Sequence, residues 1–261
     1  MTLESVFVHD GDRFNATALA LGPWAPGALH GGAAAALIVD ALERAPVAAG
    51  LRLARLTCEL VRPVPMHGLM VSVQVVRPGR RVTLLDAFLR DSDDVEVCRG
   101  RALLLAPAEL DGPADCEAPP FPGPAAGRAS DWRPPSSGPT FAADAMEILF
   151  VEGDFEEIGP ATAWFRLRQP LIAGAQLTPL QRVAAAADFG NGIASALSWG
   201  EHMFINPDLT VHFEREPIGQ WVALQASSRV QRGSAALAES VLWDERGRIG
   251  RAVQSLLVGR R

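Results

Sequence analysis

Asp188 interrupts one of the most apolar stretches of this chain, Val183-Ala184-Ala185-Ala186-Ala187-Asp188-Phe189. A carboxylate in a buried helix is costly unless it is paired or put to use, so the residue is either held by structural hydrogen bonds or works as a base. Gln254 poses the same question on a strand, within Arg251-Ala252-Val253-Gln254-Ser255-Leu256-Leu257, where it either satisfies a backbone group or serves a site. Asn206, just ahead of Pro207, is a common turn residue as well as a candidate donor. His30-Gly31-Gly32 opens an Ala-rich run. The free N–H groups at such a helix start form a positive pole suited to an anion or a developing oxyanion, and glycine lets a ligand come close. His30 reads as a loop-orienting residue first and a general base second.

The elements that must position these residues occur twice. A strand-like stretch from Ser5 to Leu21 leads to His30-Gly31-Gly32, an Ala-rich run, Leu56-Thr57-Cys58-Glu59-Leu60 and further strands. The same order returns as Met146 to Leu171, Thr178-Pro179, a second Ala-rich run, Leu209-Thr210-Val211-His212-Phe213 and further strands. Repetition of this kind argues for duplication of one supersecondary module. The first helix is expected over Gly32 to Arg44. The second opens on Thr178-Pro179-Leu180-Gln181, a capping box with proline at the first helical position, and is expected to run on through Arg182 to Leu197. Both are apolar nearly all round, as buried helices are. Period-two alternation such as Leu209, Val211, Phe213, with turns at Asp91-Ser92-Asp93-Asp94 and Asp244-Glu245-Arg246-Gly247, marks antiparallel hairpins. The expected class is α+β: two antiparallel sheets, each wrapped around a long buried helix. Proline density between about residues 106 and 139 excludes regular pairing there. It sets off an N-terminal unit at 1–108 and a C-terminal unit at 143–261 around a linker at 109–142.

Composition narrows the function. With 261 residues and 48% hydrophobic content the chain can bury a large core. No apolar run reaches the length of a membrane span, and Met1 to Arg13 lacks a basic region before an apolar block, so a secretory signal is not expected and a cytoplasmic location is. A net charge of −6 disfavours a nucleic-acid partner. All 24 basic residues are arginine and tyrosine is absent, which reads as codon bias. Cys58, Cys98 and Cys116 share no metal-type spacing and read as two core thiols and one linker thiol. No HExxH or CxxC pattern occurs, and Ser195 lacks the Gly-x-Ser-x-Gly elbow, so neither a metal, a cofactor nor a serine acyl-enzyme is expected.

Several blocks, taken together, resemble the type II (TesB-like) acyl-CoA thioesterases, a family of tandem (double) hotdogs: Leu29-His30-Gly31-Gly32-Ala33, Ala187-Asp188-Phe189-Gly190-Asn191-Gly192, Phe204-Ile205-Asn206-Pro207-Asp208-Leu209, and Gly250-Arg251-Ala252-Val253-Gln254-Ser255. The resemblance covers nearly everything except the linker. It implies hydrolysis of fatty or other acyl-CoA thioesters to free acid and CoA by direct water attack. Asp188, Asn206 and Gln254 would then orient the water, with Asn206 standing where the family often has Thr or Ser. It also implies a homodimer or higher homo-oligomer.

Thioester hydrolysis needs a water activated on one side of the carbonyl and donors for the oxyanion on the other. If the two helices run antiparallel, the start of the first lies near the middle of the second, placing the Gly31 and Gly32 N–H groups opposite Asp188. The pseudo-symmetric site offers Asp40, Leu53, Arg101 and the N–H-less Pro179 instead, so one competent site per chain is expected. Arg77, Arg80 and Arg81, with Arg229 and Arg232, are candidates for CoA phosphates. Trp24, Phe189, Trp199, Met203 and Phe204 are candidates for the acyl tunnel. Two other readings remain: an enoyl-thioester hydratase or dehydratase, and a non-catalytic acyl-CoA-binding or assembly protein.

Overall fold

A computed structural model describes residues 5–107, 117–134, 138–233 and 235–261. The chain begins with a hairpin, β1 (Phe7–Asp10) and β2 (Arg13–Ala16), followed by α1 (Gly31–Glu43). Four strands complete the first half: β3 (Arg52–Glu59), β4 (Met70–Arg77), β5 (Val82–Arg90) and β6 (Glu96–Leu105). The second half runs β7 (Arg128–Ala129), β8 (Met146–Glu152), β9 (Ala161–Leu167), α2 (Pro179–Ala187) and α3 (Gly190–Ile193). It ends with β10 (His202–Ile205), β11 (Asp208–Phe213), β12 (Val222–Arg229), β13 (Ala236–Asp244) and β14 (Arg248–Arg260).

Where a separate sheet in each half was expected, one twelve-stranded sheet spans both halves, apart from the β1–β2 hairpin. The strand order is β4-β5-β6-β3-β11-β14-β13-β12-β9-β8-β7, with β10 also paired to β14. The halves fuse because β3 and β11, each left with an unpaired side, run antiparallel with Thr57 opposite Thr210, which turns two edges into one ladder. The hydroxyls of these two threonines lie 3.2 Å apart at the seam. β11 and β14 alternate between buried and less buried positions as the sequence predicts, whereas β9 is buried on both faces, its Trp164 packing with Trp243 in a separate cluster.

Helix α1 buries ten of its thirteen residues, as an all-round apolar sequence requires. It packs on β4, β5 and β6, while α2 and α3 pack on the strands of the second half. The two long helices also pack on each other and run antiparallel. Gly31, at the start of α1, lies beside Asp188, whereas Gln181, in the first turn of α2, donates from Nε2 to Asp40 Oδ1 near the end of α1 at 3.2 Å. Small residues make this approach feasible: any side chain at Gly32 would run into the Ala185 carbonyl. The predicted capping box is formed, with Gln181 N–H donating to Thr178 Oγ1 at 3.2 Å and Thr178 N–H to Gln181 Oε1 at 3.1 Å.

The second helix is shorter than its pattern suggested. It ends at Ala187, tightens through a turn in which Phe189 N–H bonds the Ala186 carbonyl, and resumes only for Gly190–Ile193. Glycines at 190 and 192 weaken the helix at this point, and Gln254 takes over the Asp188 carbonyl that the helical ladder releases (Nε2 to O, 3.2 Å). The long buried helix expected in the second half is therefore two pieces, and the break falls on the carboxylate.

The proline-rich segment hugs the surface. Phe121 sits edge-on to Trp164 and Trp243, Trp164 Nε1 donates to the Pro122 carbonyl at 2.9 Å, and, against the expectation of no regular pairing here, the proline-free β7 extends the sheet along β8. Cys58 and Cys98 are fully buried; Cys116 lies outside the described residues. No described helix is long and apolar enough to cross a membrane.

Candidate active site

The break between α2 and α3 aims Asp188 at three polar side chains from three other elements. Its Oδ1 accepts from Asn206 Nδ2 at 2.7 Å and from Gln254 Nε2 at 3.2 Å, and its Oδ2 lies 3.0 Å from His30 Nδ1. All four residues are buried. Each has a local reason to be where it is. Asn206 bridges the step from β10 to β11, donating also to the Asp208 carbonyl at 3.0 Å. Gln254, on the inner face of β14, accepts from the Asn191 N–H at 3.1 Å and so clamps both sides of the helix break. Gly190 makes that clamp possible, because a methyl group there would lie 2.9 Å from Gln254 Oε1.

His30 is the N-cap of α1, with its ring stacked on Phe189 at 4.5 Å and tilted against Phe141 at 5.0 Å. Its Nδ1 lies 3.0 Å from the Gly32 nitrogen and equally 3.0 Å from Asp188 Oδ2. One ring nitrogen cannot serve both at once. Without a proton it accepts the Gly32 N–H and caps the helix; with a proton it donates to Asp188 and releases that N–H. The Gly31 N–H has no acceptor among the described residues, and a methyl group on Gly31 would lie 2.6 Å from Asp188 Oδ2. Glycine at 31 is thus enforced by the carboxylate.

These groups open on a cavity of about 290 Å³. His30, Gly31, Asp188 and Asn206 line it, while Gly32 and Gln254 stand behind them. Most of the remaining wall is apolar and aromatic. Of the tunnel candidates, Trp24, Phe189 and Trp199 line it, Phe204 sits behind Trp24 and Trp199, and Met203 packs on Gly259. Trp132 and Phe155, which sequence reasoning missed, complete the wall. None of Arg77, Arg80, Arg81, Arg229 or Arg232 lines this cavity, and Arg229 is paired with Glu239 at 3.2 Å. Its arginine is Arg62, and Arg261 lies over the Trp24 ring at 5.7 Å.

At the pseudo-symmetric position Asp40 is occupied by Arg44 (2.9 Å) and Gln181 (3.2 Å). Register corrects one pairing: Arg101 faces Thr57 as Val253 faces Thr210, so the counterpart of Gln254 is Ala102. Arg101 points to the other face of the sheet and forks onto Asp86 at 2.7 Å. The slip was by one residue, which in a strand exchanges faces. Among the thiols, a hydrogen bond with Cys98 and complete burial hold Cys58 well above the usual thiol value, so it is no nucleophile.

Fold and site together define a class, a hotdog-fold thioester hydrolase, and the comparisons agree. The chain matches two family descriptions, the acyl-CoA thioesterase N-terminal domain over residues 20–105 and the acyl-CoA thioesterase C-terminal domain over residues 113–258. It belongs to the acyl-CoA thioesterase family, as the TesB-like resemblance implied. Similar solved structures include a protein provisionally named a thioesterase from Novosphingobium aromaticivorans, at 21% identity and TM-score 0.76 over 97% of this chain and 98% of that one. A hot dog fold protein of unknown function from Alicyclobacillus acidocaldarius aligns at 15% identity and TM-score 0.73 over 98% and 95%. The tesB protein of Mycobacterium avium subspecies paratuberculosis aligns at 16% and 0.67 over 97% and 95%. Comparison with curated sequences gives no match.

Proposed function

We propose that this chain is a double hotdog, with units at 1–108 and 143–261 around a linker at 109–142, and that it hydrolyses acyl-CoA thioesters by direct attack of water at one site. Asp188 Oδ2 takes the proton of the attacking water. Asn206 and Gln254 hold Oδ1 and thereby fix the plane of the carboxylate. The carbonyl oxygen, as it becomes an oxyanion, is met by the positive end of α1, with the Gly31 N–H as donor and the Gly32 N–H, capped by His30, adding to the local positive pole. The tetrahedral intermediate collapses with loss of CoA thiolate, which takes up the proton Asp188 has received. Arg62, which lines the cavity, and Arg261, over the Trp24 ring, are the cations for the phosphates of CoA. We place the enzyme in the cytoplasm.

The observation that carries this reading is that Asp188 Oδ2 occupies the space a side chain at Gly31 would need, which brings a carboxylate and a helix N-terminus to the same apolar cavity. The test is release of free thiol from a panel of acyl-CoAs by the purified protein, with Asp188→Ala expected to lower kcat at least about a hundredfold, the usual scale for loss of a general base. Undiminished turnover in a folded Asp188→Ala protein would falsify the mechanism.

A further inference from the structure

Beyond the large cavity lies a second one of about 120 Å³. It shares Trp132, Ala142 and Phe155 with the first, and none of His30, Gly31, Asp188 or Asn206. A group extending from the carboxylate can therefore enter the second cavity only past those three residues. Trp132 is the bulkiest of them and is firmly held. Its ring stacks on Phe155 at 4.5 Å and 25° and leans on Trp199 at 5.3 Å, and Trp199 stacks in turn on Trp24 at 4.9 Å. Its backbone N–H donates to Ser130 Oγ at 3.1 Å, Ser130 Oγ donates to Asp154 Oδ1 at 2.5 Å, and Arg128 pairs with Asp154 at 2.6 Å. The indole is thus pinned from its ring and from its chain.

We propose that Trp132 closes the acyl end of the substrate cavity and restricts this enzyme to short, compact acyl groups, the second cavity being an acyl extension shut off by a side chain. The proposal rests on the thioesterase reading for the identity of the ligand. A cavity of about 290 Å³ lies at the small end of ligand pockets, which run from roughly 300 to 1,000 Å³. A longer tail must displace a ring stacked on Phe155 and braced by Trp199. On the far side Met146 and Ile148 would receive it, with Ser130, Arg133 and Arg168 at the margin of the same space.

The test uses S-alkyl-CoA thioethers from butyl to hexadecyl, which bind without reacting, titrated calorimetrically against the wild-type protein, Trp132→Ala and Ala142→Phe. Thiol release from the matching thioesters is measured alongside. Wild-type affinity should rise with chain length to a break and then fall. In Trp132→Ala the break should move to longer chains, with at least a tenfold gain for the longest ligands relative to butyl, since each newly buried methylene favours binding about fourfold. In Ala142→Phe it should move to shorter ones. A wild-type profile with no break overturns the proposal, as does a folded Trp132→Ala protein that breaks at the same length. Should Trp132→Ala fail to fold, an unshifted Ala142→Phe profile decides against it. A chain-length break in binding with no thiol released would sink the hydrolytic reading and leave the role of Trp132 standing.

Discussion

At the scale of single residues, the site consists of one carboxylate and the groups that restrict it. Asp188 was visible in the sequence because a charge among alanines needs a reason. Gln254 and Asn206 were not visible in that way, since an amide on a strand or before a proline has ordinary uses; only the family resemblance brought them forward. Trp132 was missed because a proline-rich segment reads as linker, and nothing local says that one of its rings returns to a cavity. Gln254 acts at one remove, touching Asp188 and the Asn191 N–H but not the cavity, and is a positioning residue. Gln254→Glu would set a second carboxylate against Asp188, and like charges favour protonation. The acid limb of the pH–kcat profile should move to higher pH with KM little changed. A purely structural role predicts loss of stability with the limb where it was.

Among the elements, the turns anchored by aspartates are the most exactly specified. The β13–β14 turn was legible as Asp244-Glu245-Arg246-Gly247. Its further function was not, because the partner, Arg215, comes from beyond the end of β11. Asp244 is fully buried and accepts from both arms of Arg215, at 2.6 and 2.5 Å, and from the Ile218 and Arg246 N–H groups at 2.9 Å each. Burial alone would raise its pKa, but the Arg215 fork, these N–H groups and the arginine charge outweigh it and leave the carboxyl below the usual value. A depressed folded-state pKa adds stability that is complete above the unfolded value, about 3.9, and is lost as pH falls through the folded one. Asp244→Asn should therefore cost roughly 2–3 kcal/mol near neutrality and flatten the acid side of the stability curve. Chemical denaturation between pH 2 and pH 7 measures both; wild-type and mutant curves that stay parallel below pH 4 would remove this account. The helix break belongs to the same scale. The Ala run suggested one long helix, and the glycines at 190 and 192 were the signal against it.

For the whole molecule, the sequence pattern led to antiparallel strands packed on buried helices but not to the single sheet, because nothing in one strand names its neighbour across a seam. The sheet still ends on β4, where Val75 and Val76 are more than two-fifths exposed. An unpaired apolar edge is a template for another strand. We expect the purified chain to be a homodimer or larger symmetric assembly, and light scattering should give a multiple of the single-chain mass. Val75→Lys should weaken that assembly. A wild-type protein running as one chain at micromolar concentration would end this expectation.

The antiparallel contact of α1 and α2 also bears on how such a chain can evolve. Asp188 is encoded in one repeat, while the amide hydrogens and the imidazole beside it are encoded in the other. Neither copy is a spare: each half supplies what the other lacks. On the proposed mechanism, fission of the gene would leave two products unable to act alone, while the opposite end of the helix pair, where Asp40 pairs with Arg44 and Gln181, would hold the two halves together without entering the chemistry.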